Sequence, residues 1–125
     1  MKEFTNVVFD TKEKTFTIKE GDTGTYSYLD ITNCNILYEL DKYKGKTPPF
    51  EHCIRSGLLQ TSIWHSDNLW TGIEFVMSDG SVLHVYISER PSQLNSIGYH
   101  EDTKKAEEIQ TYVFRIFQKY AGKRS

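Results

Sequence analysis

The sequence predicts a mainly β (α+β) fold, in which six or seven antiparallel strands form a meander or partly open barrel capped by one C-terminal amphipathic helix. Two observations predict it. Apolar residues alternate at period two through much of residues 5–87, and their spacing becomes helical over about residues 102–121. A length of 125 residues suits one domain. We therefore expect a single domain over residues 1–125, with one irregular loop at 41–57.

The stretch 58–87 reads as three strands joined by two turns, over residues 66–68 and 78–80. Each turn ends in a residue that tolerates positive φ, as a three-residue hairpin loop requires. In this register an apolar face forms from Leu59, Ile63, Leu69, Thr71, Ile73, Phe75, Met77, Leu83, Val85 and Ile87. A two-residue loop would pair Phe75 with His84 and divide these side chains between the two faces, so one buried face selects the three-residue loop.

The opposite face of this meander is mixed and aromatic. Trp64 lies opposite Trp70, Glu74 lies opposite His84, and Tyr86 lies beside Gly72. These cross-strand pairs can serve simply to stabilise the sheet. Alternatively, the aromatic side chains form a surface for a protein partner or for self-association, because interfaces are enriched in aromatic residues.

The N-terminal region predicts a first hairpin between residues 5–9 and 15–19, followed by a turn at 21–24. Beyond that turn, apolar residues lead into a strict alternation through Cys34, Ile36, Tyr38 and Leu40. Residues 25–40 form either one bent strand or two strands broken near Thr32 and Asn33, and the sequence leaves both open.

The segment 41–57 breaks the strand pattern with three lysines, two glycines and a Pro-Pro pair. Its lysines, at positions 42, 44 and 46, are an anion-site candidate with Tyr43 and Phe50 as apolar anchors. They are also typical of a loop that is simply solvated. If these lysines converge with Arg55 around a cavity, the chain would be a phosphate-binding regulatory domain; if they do not, the loop is simply solvated.

Residues 88–100 contain Pro91 and Gly98 and predict an irregular crossover, with Leu94 and Ile97 in the core. The helix that follows has an apolar stripe of Ala106, Ile109, Val113, Ile116, Phe117 and Tyr120, which Tyr112 and Phe114 widen. Acidic residues interrupt the lysines on its polar face, so we expect it to pack on the protein's own sheet rather than on a membrane.

Composition excludes several classes of function. A net charge of −2 with scattered basic residues gives no footprint for nucleic acid or an anionic membrane. No signal peptide or transmembrane segment is apparent, so a cytoplasmic location is expected. Cys34 and Cys53 are expected to be reduced structural thiols, and the four histidines lack metal-ligand spacing. We predict no metal and no cofactor.

Three segments together resemble the pleckstrin-homology-like domains of the small bacterial and phage type. They are Tyr26-Ser27-Tyr28-Leu29-Asp30-Ile31, the hairpin over residues 72–87, and Ala106-Glu107-Glu108-Ile109 at the start of the helical stripe. The resemblance covers nearly the whole chain and implies a barrel that binds phosphoinositide heads, peptides or proteins. Lipid-binding members have an arginine in a basic cluster on the first hairpin. This chain has only Lys12 and Lys14 there, which argues against phosphoinositide binding.

Two functional hypotheses follow. The first is a non-catalytic binding or assembly module that contacts a protein partner or forms a homo-oligomer, using Trp64, Trp70 and Tyr86 and the neighbouring loop. The second is a small enzyme in which Glu74 orients His84 as a base. The enzyme hypothesis lacks an identifiable nucleophile, and an outer sheet face excludes water poorly.

Overall fold

The computed structural model describes residues 1–55 and 68–121 of the chain. Two antiparallel sheets, of four and five strands, pack with one C-terminal helix, which confirms the predicted fold class. The first sheet runs in chain order through β1 (Lys2–Phe4), β2 (Val7–Asp10), β3 (Thr15–Ile18) and β4 (Gly24–Ser27). The predicted first hairpin is confirmed, with Phe9 opposite Phe16.

The second sheet has the strand order β6-β5-β7-β8, with β9 paired to β7. Its strands are β5 (Ile31–Leu40), β6 (Ile54–Arg55), β7 (Asn68–Met77), β8 (Val82–Tyr86) and β9 (Ser92–Gln93). The β7–β8 register is the predicted one: Ile73 pairs with Val85, and the Met77 amide donates to the Ser81 carbonyl. Asp79 accepts from the Ser81 amide at 2.8 Å, which fixes the turn.

The long partner of β7 is β5, and this pairing was not predicted from the sequence. Trp70 lies opposite Glu39 of β5. Residues 56–67 lie outside the described residues. They include the predicted first strand of the meander, Trp64 and the first two residues of the predicted turn at 66–68. The third turn residue, Asn68, is the first residue of β7. Residues 25–40 form two strands, separated by a 3-10 turn at Tyr28–Asp30. A β-bulge follows between Ile31 and Asn33.

The two sheets join at one edge, through the segment between β3 and β4. The Asp22 amide donates to the His84 carbonyl at 2.8 Å, and the Tyr86 amide donates to the Glu20 carbonyl at 3.0 Å. Gly21 lies between them at φ +119°, where a Cβ would collide with the His84 carbonyl oxygen. Among the described strands the sheets thus form a partly open sandwich rather than a closed barrel.

The helix α1 spans Ile97–Ala121 and begins earlier than predicted. The Ser96 hydroxyl accepts from the Tyr99 amide at 3.2 Å, as in an N-cap, so the first turn forms despite Gly98. The predicted stripe is confirmed, with Ala106, Ile109 and Val113 fully buried. Two predictions were wrong: Ile97 and Phe114 are exposed rather than buried, because they lie on the side of the helix away from both sheets.

The main core lies between the sheets and the helix, and it is rich in aromatic contacts. Phe9 contacts the rings of Phe16, Phe75 and Tyr112, and β1 adds Phe4 at its edge. In the described residues no helix is long and apolar enough to span a membrane. A second, smaller core of Leu37, Phe50 and Tyr86 lies on the outer face of the five-stranded sheet. That second core positions the candidate site.

Candidate functional site

The loop after β5 folds back over the outer face of the second sheet. Phe50 is 1% exposed, and its ring centroid lies 4.5 Å from that of Tyr86. The same ring lies on Gly72, where a Cβ would collide with it. Phe50 has φ +56°, an unfavourable conformation for an aromatic residue that burial of the ring offsets. The aromatic face predicted to be only partly covered is therefore filled at Tyr86 by the chain's own loop.

Trp70 and Tyr86 form two perpendicular walls around an ammonium group. Their ring centroids are 5.9 Å apart at an interplanar angle of 80°. The Lys44 Nζ lies 4.5 Å from the Trp70 centroid and 4.7 Å from the Tyr86 centroid. Glu20 Oε1 lies 3.6 Å from the same Nζ. We call Trp70, Tyr86 and Glu20 the cation cage. Partly desolvated cation–π contacts of this kind are worth about 0.5–2 kcal/mol.

Carboxylates hold both walls of the cage in place. The Trp70 indole Nε1 donates to Asp41 Oδ1 at 2.6 Å, and the Tyr86 hydroxyl donates to Glu39 Oε1 at 3.1 Å. Glu39 is fully buried, and its second oxygen accepts from the His52 amide at 3.4 Å. Burial, together with the charge of Glu39, raises the pKa of Tyr86, so its hydroxyl remains a donor. The ring orientations are thereby fixed, and the local field favours a cation.

Glu74 and His84 belong to a second cluster beside the cage. Arg55 contacts both oxygens of the Glu74 carboxylate, at 3.3 and 3.5 Å, and Asn35 donates to it at 3.0 Å. His84 Nε2 lies 3.7 Å from Glu74, and His84 Nδ1 lies 3.5 Å from Asp22. The predicted cross-strand pairing of Glu74 with His84 is confirmed, but within a larger network of charges.

This geometry does not suit His84 as a general base. A catalytic imidazole oriented by one carboxylate presents its other nitrogen to the substrate. Here both ring nitrogens face carboxylates within 3.7 Å. Glu74 is nearly buried and engaged by Asn35 and Arg55. The arrangement instead resembles a structural network that ties the 20–22 segment and β6 to the sheet.

Lys42, Lys44 and Arg55 contact different groups and do not converge on an anion site. Lys42 Nζ lies over the Tyr43 ring at 5.1 Å, whereas Lys44 points into the cation cage. Arg55 pairs with Glu74. Two of the four cations on which a phosphate site would depend are thus committed to carboxylates, Lys44 to Glu20 and Arg55 to Glu74.

The structure brings most of the predicted site residues together on this face. Trp70, Tyr86 and Phe50 are in one cluster, and in the same loop the Tyr43 ring contacts the His52 ring, with centroids 4.2 Å apart. Trp64 lies outside the described residues. Sequence reasoning missed the role of Lys44 and of four acidic residues: Glu20, Asp22, Glu39 and Asp41. One signal was present for Glu39, a carboxylate between the apolar residues Tyr38 and Leu40 at the end of β5.

In residues 1–55 and 68–121, no three His, Cys, Asp or Glu side chains are grouped closely enough to hold a metal ion. Comparison with known proteins found no matching family model, no similar curated protein and no similar solved structure. The geometry of this face therefore carries the functional argument by itself.

Proposed function

We propose that this chain is a non-catalytic binding or assembly module, which contacts a protein partner or a second copy of itself through the surface around Trp70. The observation that supports this is the state of Trp70: a half-buried indole at the rim of the docked loop, held in one orientation by Asp41. A preoriented tryptophan loses little conformational entropy when a partner covers it, and tryptophans are enriched among interface hot spots.

The surroundings of Trp70 also suit an interface. Phe50 and Tyr86 form a rigid apolar base beneath it, and charged residues surround it, as in an interface with an apolar centre and a polar rim. Glu20 and Asp41 are both exposed at this rim. A partner that covers Trp70 therefore meets these two carboxylates at its rim.

Two further points are part of the proposal. Two antiparallel sheets followed by one C-terminal helix are compatible with a pleckstrin-homology-like origin, in which case this chain is a protein-binding member rather than a phosphoinositide-binding one. The commitment of Arg55 and Lys44 to carboxylates supports that distinction. We also infer a cytoplasmic setting, in which Cys34 and Cys53 remain as the free thiols that the structure contains.

The test is molar mass by light scattering at several concentrations, on the wild type, Trp70→Ala and the matched control Phe114→Ala. Phe114 is an aromatic side chain 44% exposed on α1, away from this face. We expect Trp70→Ala to weaken self-association, or to lose a partner that co-purifies with the wild type. Phe114→Ala should do neither. If a folded Trp70→Ala protein keeps both its oligomeric state and every partner contact, the proposal is wrong.

A further inference from the structure

We propose that the cation cage is a recognition site for a lysine ammonium group, plain or methylated, on a partner protein, and that Lys44 occupies it in cis in the free protein. This inference rests on the proposed function, because it names the chemistry by which the same face would recognise its partner. In this view Lys44 is a built-in competitor that the partner's lysine displaces.

The geometry of the cage suits an alkylammonium ligand. Two aromatic walls at 80°, each less than 5 Å from one ammonium nitrogen, and a carboxylate at 3.6 Å are the components with which proteins recognise alkylammonium groups. A lone lysine crossing an aromatic ring needs only one wall, as Lys42 over Tyr43 shows in the same loop. The cage is thus more elaborate than is needed to position a loop lysine.

Lys44 can leave the cage at small structural cost. The backbone around Lys44 is held mainly by its own turn, in which the Lys44 amide donates to Asp41 and the Thr47 amide donates to Tyr43. The anchor of the loop is Phe50, six positions further along the chain. Rotation of the Lys44 side chain therefore vacates the cage without displacing Phe50.

The charges around the cage favour a cation as its occupant. Glu20, Glu39 and Asp41 contact Lys44, Tyr86 and Trp70 respectively. The cage, which holds one ammonium group, thus contains one carboxylate and has two more bonded to its walls. If Lys44 leaves, the cage has an uncompensated negative potential, which favours a replacement cation over a neutral or acidic ligand.

The test measures the indole N–H resonance of Trp70 by NMR, identified by its loss in Trp70→Phe, while an N-acetylated trimethyl-lysine amide or a lysine amide is added. We expect saturable shifts in Lys44→Ala, with an affinity for the ligand at least about tenfold higher than that of the wild type. The reason is that the competing ammonium group of the wild type is held at a high effective concentration. The matched control is Lys42→Ala, which removes a lysine of the same loop but should bind like the wild type.

Two further variants test the cage itself. Glu20→Gln in the Lys44→Ala background should weaken binding, since it removes the charge while it keeps the shape. Lys44→Met should bind less well than Lys44→Ala, because the apolar stem still covers the walls. If a folded Lys44→Ala protein shows no saturable shift with either lysine ligand, the inference is wrong. Should Lys44→Ala not fold, Lys44→Gln replaces it, because a neutral side chain does not compete as a cation, and an absence of any saturable shift in a folded Lys44→Gln protein would overturn the inference equally.

The results separate this inference from the proposed function. Binding of choline without binding of either lysine ligand would overturn the inference, since it would identify the cage as a site for small quaternary amines. If Trp70→Ala loses a partner but Lys44→Ala binds no lysine ligand, the proposed function as a binding module is supported and the inference of a lysine ligand is rejected. If Lys44→Ala binds a lysine ligand but Trp70→Ala keeps its molar mass and its partner contacts, the chemistry of the cage is supported and the proposed interface around Trp70 is rejected.

Discussion

The ring of Phe50 lies directly on the backbone of Gly72, in the space that a side chain at position 72 would occupy. Gly72 pairs with Tyr86 on the neighbouring strand, so the bare position is the base of a pocket whose wall is the Tyr86 ring. The absence of one side chain in β7 thereby allows the whole loop to dock. Without this contact the cation cage would lose the support behind Tyr86.

Gly72→Ala is therefore expected to destabilise the protein and to loosen the loop. An added methyl group must displace the Phe50 ring and also meets the Val85 carbonyl oxygen at 2.5 Å. Overpacking of this kind costs about 1–3 kcal/mol. Urea denaturation of the wild type, Gly72→Ala, Phe50→Ala and the double variant measures the coupling. The methyl group should cost less in the Phe50→Ala background, and strictly additive costs would show that the ring does not depend on Gly72.

The sequence was sufficient to predict the elements whose causes are local. The turn at 78–80 fixed the β7–β8 register through Asp79 and Gly80, and both act within the turn itself. The helix stripe was equally predictable, because Ala106, Ile109 and Val113 recur at the helical period. In both cases neighbouring residues determine the geometry, so a pattern in one stretch of sequence is enough.

The remaining features depend on contacts between distant segments, which no local pattern encodes. The β5–β7 pairing joins Glu39 to Trp70, and any apolar strand in this chain could have competed for that edge. Docking of the loop depends on Phe50 meeting Gly72. Phe50 was predicted as an apolar anchor, but nothing in the loop's own sequence indicated that its contact is Gly72. Lys44 was predicted either to help bind an anion or to be solvated, whereas its ammonium group lies between two rings.

The buried carboxylate of Asp102 is expected to make stability depend on pH. Its Oδ2 lacks a hydrogen-bond partner among the described residues and lies 3.9 Å from Arg90 Nη1, beyond hydrogen-bond distance. Burial raises the pKa of Asp102, and the charges of Lys105 and Arg90 only partly oppose this. At pH values just above the ordinary carboxyl pKa of about 4, Asp102 therefore holds its proton more often in the folded protein than in the unfolded chain. The free energy of unfolding should fall as the pH rises from about 4 through the raised pKa of Asp102.

Asp102→Asn tests this directly, by urea denaturation between about pH 4 and pH 7. The variant should gain stability relative to the wild type at neutral pH, and the gain should shrink as the pH falls and Asp102 becomes protonated. Glu101→Gln is the control, because Glu101 is an exposed acidic neighbour on the same helix turn. An equal pH dependence of both variants relative to the wild type would contradict the assignment to Asp102.

The two thiols are expected to differ in reactivity. Cys34 is fully buried, and burial raises the pKa of its thiol to about 12, with the nearby Glu74 carboxylate adding to the effect. Burial also raises the pKa of Cys53, but Arg55 opposes this, and the side chain is only partly covered. Labelling of the native protein with a chromogenic disulfide at pH 8 should therefore modify Cys53 first.

In Cys53→Ser the native protein should show almost no reactive thiol until denaturant is added, since only the thiolate reacts. Cys34→Ser should retain the slow native reaction of the wild type. Rapid labelling of Cys34 in a folded Cys53→Ser protein would show that the helix opens readily over the core.

Tyr86→Phe is expected to destabilise the protein while it leaves the cation cage intact. The change removes the hydroxyl that donates to Glu39 and leaves a fully buried carboxylate with one fewer donor. An unsatisfied buried polar group costs about 1–3 kcal/mol, and more when it is charged. Glu39→Gln should recover part of the loss in the Tyr86→Phe background, because a neutral amide is less costly to bury. Tyr26→Phe, which removes a half-buried hydroxyl bonded to the Asp22 carbonyl at 3.0 Å, is the control and should cost less.

The aromatic wall remains, so Tyr86→Phe combined with Lys44→Ala should still bind the lysine ligands. Loss of binding in that variant, with the fold retained, would mean that the cage depends on the hydroxyl and its carboxylate partner as well as on the ring.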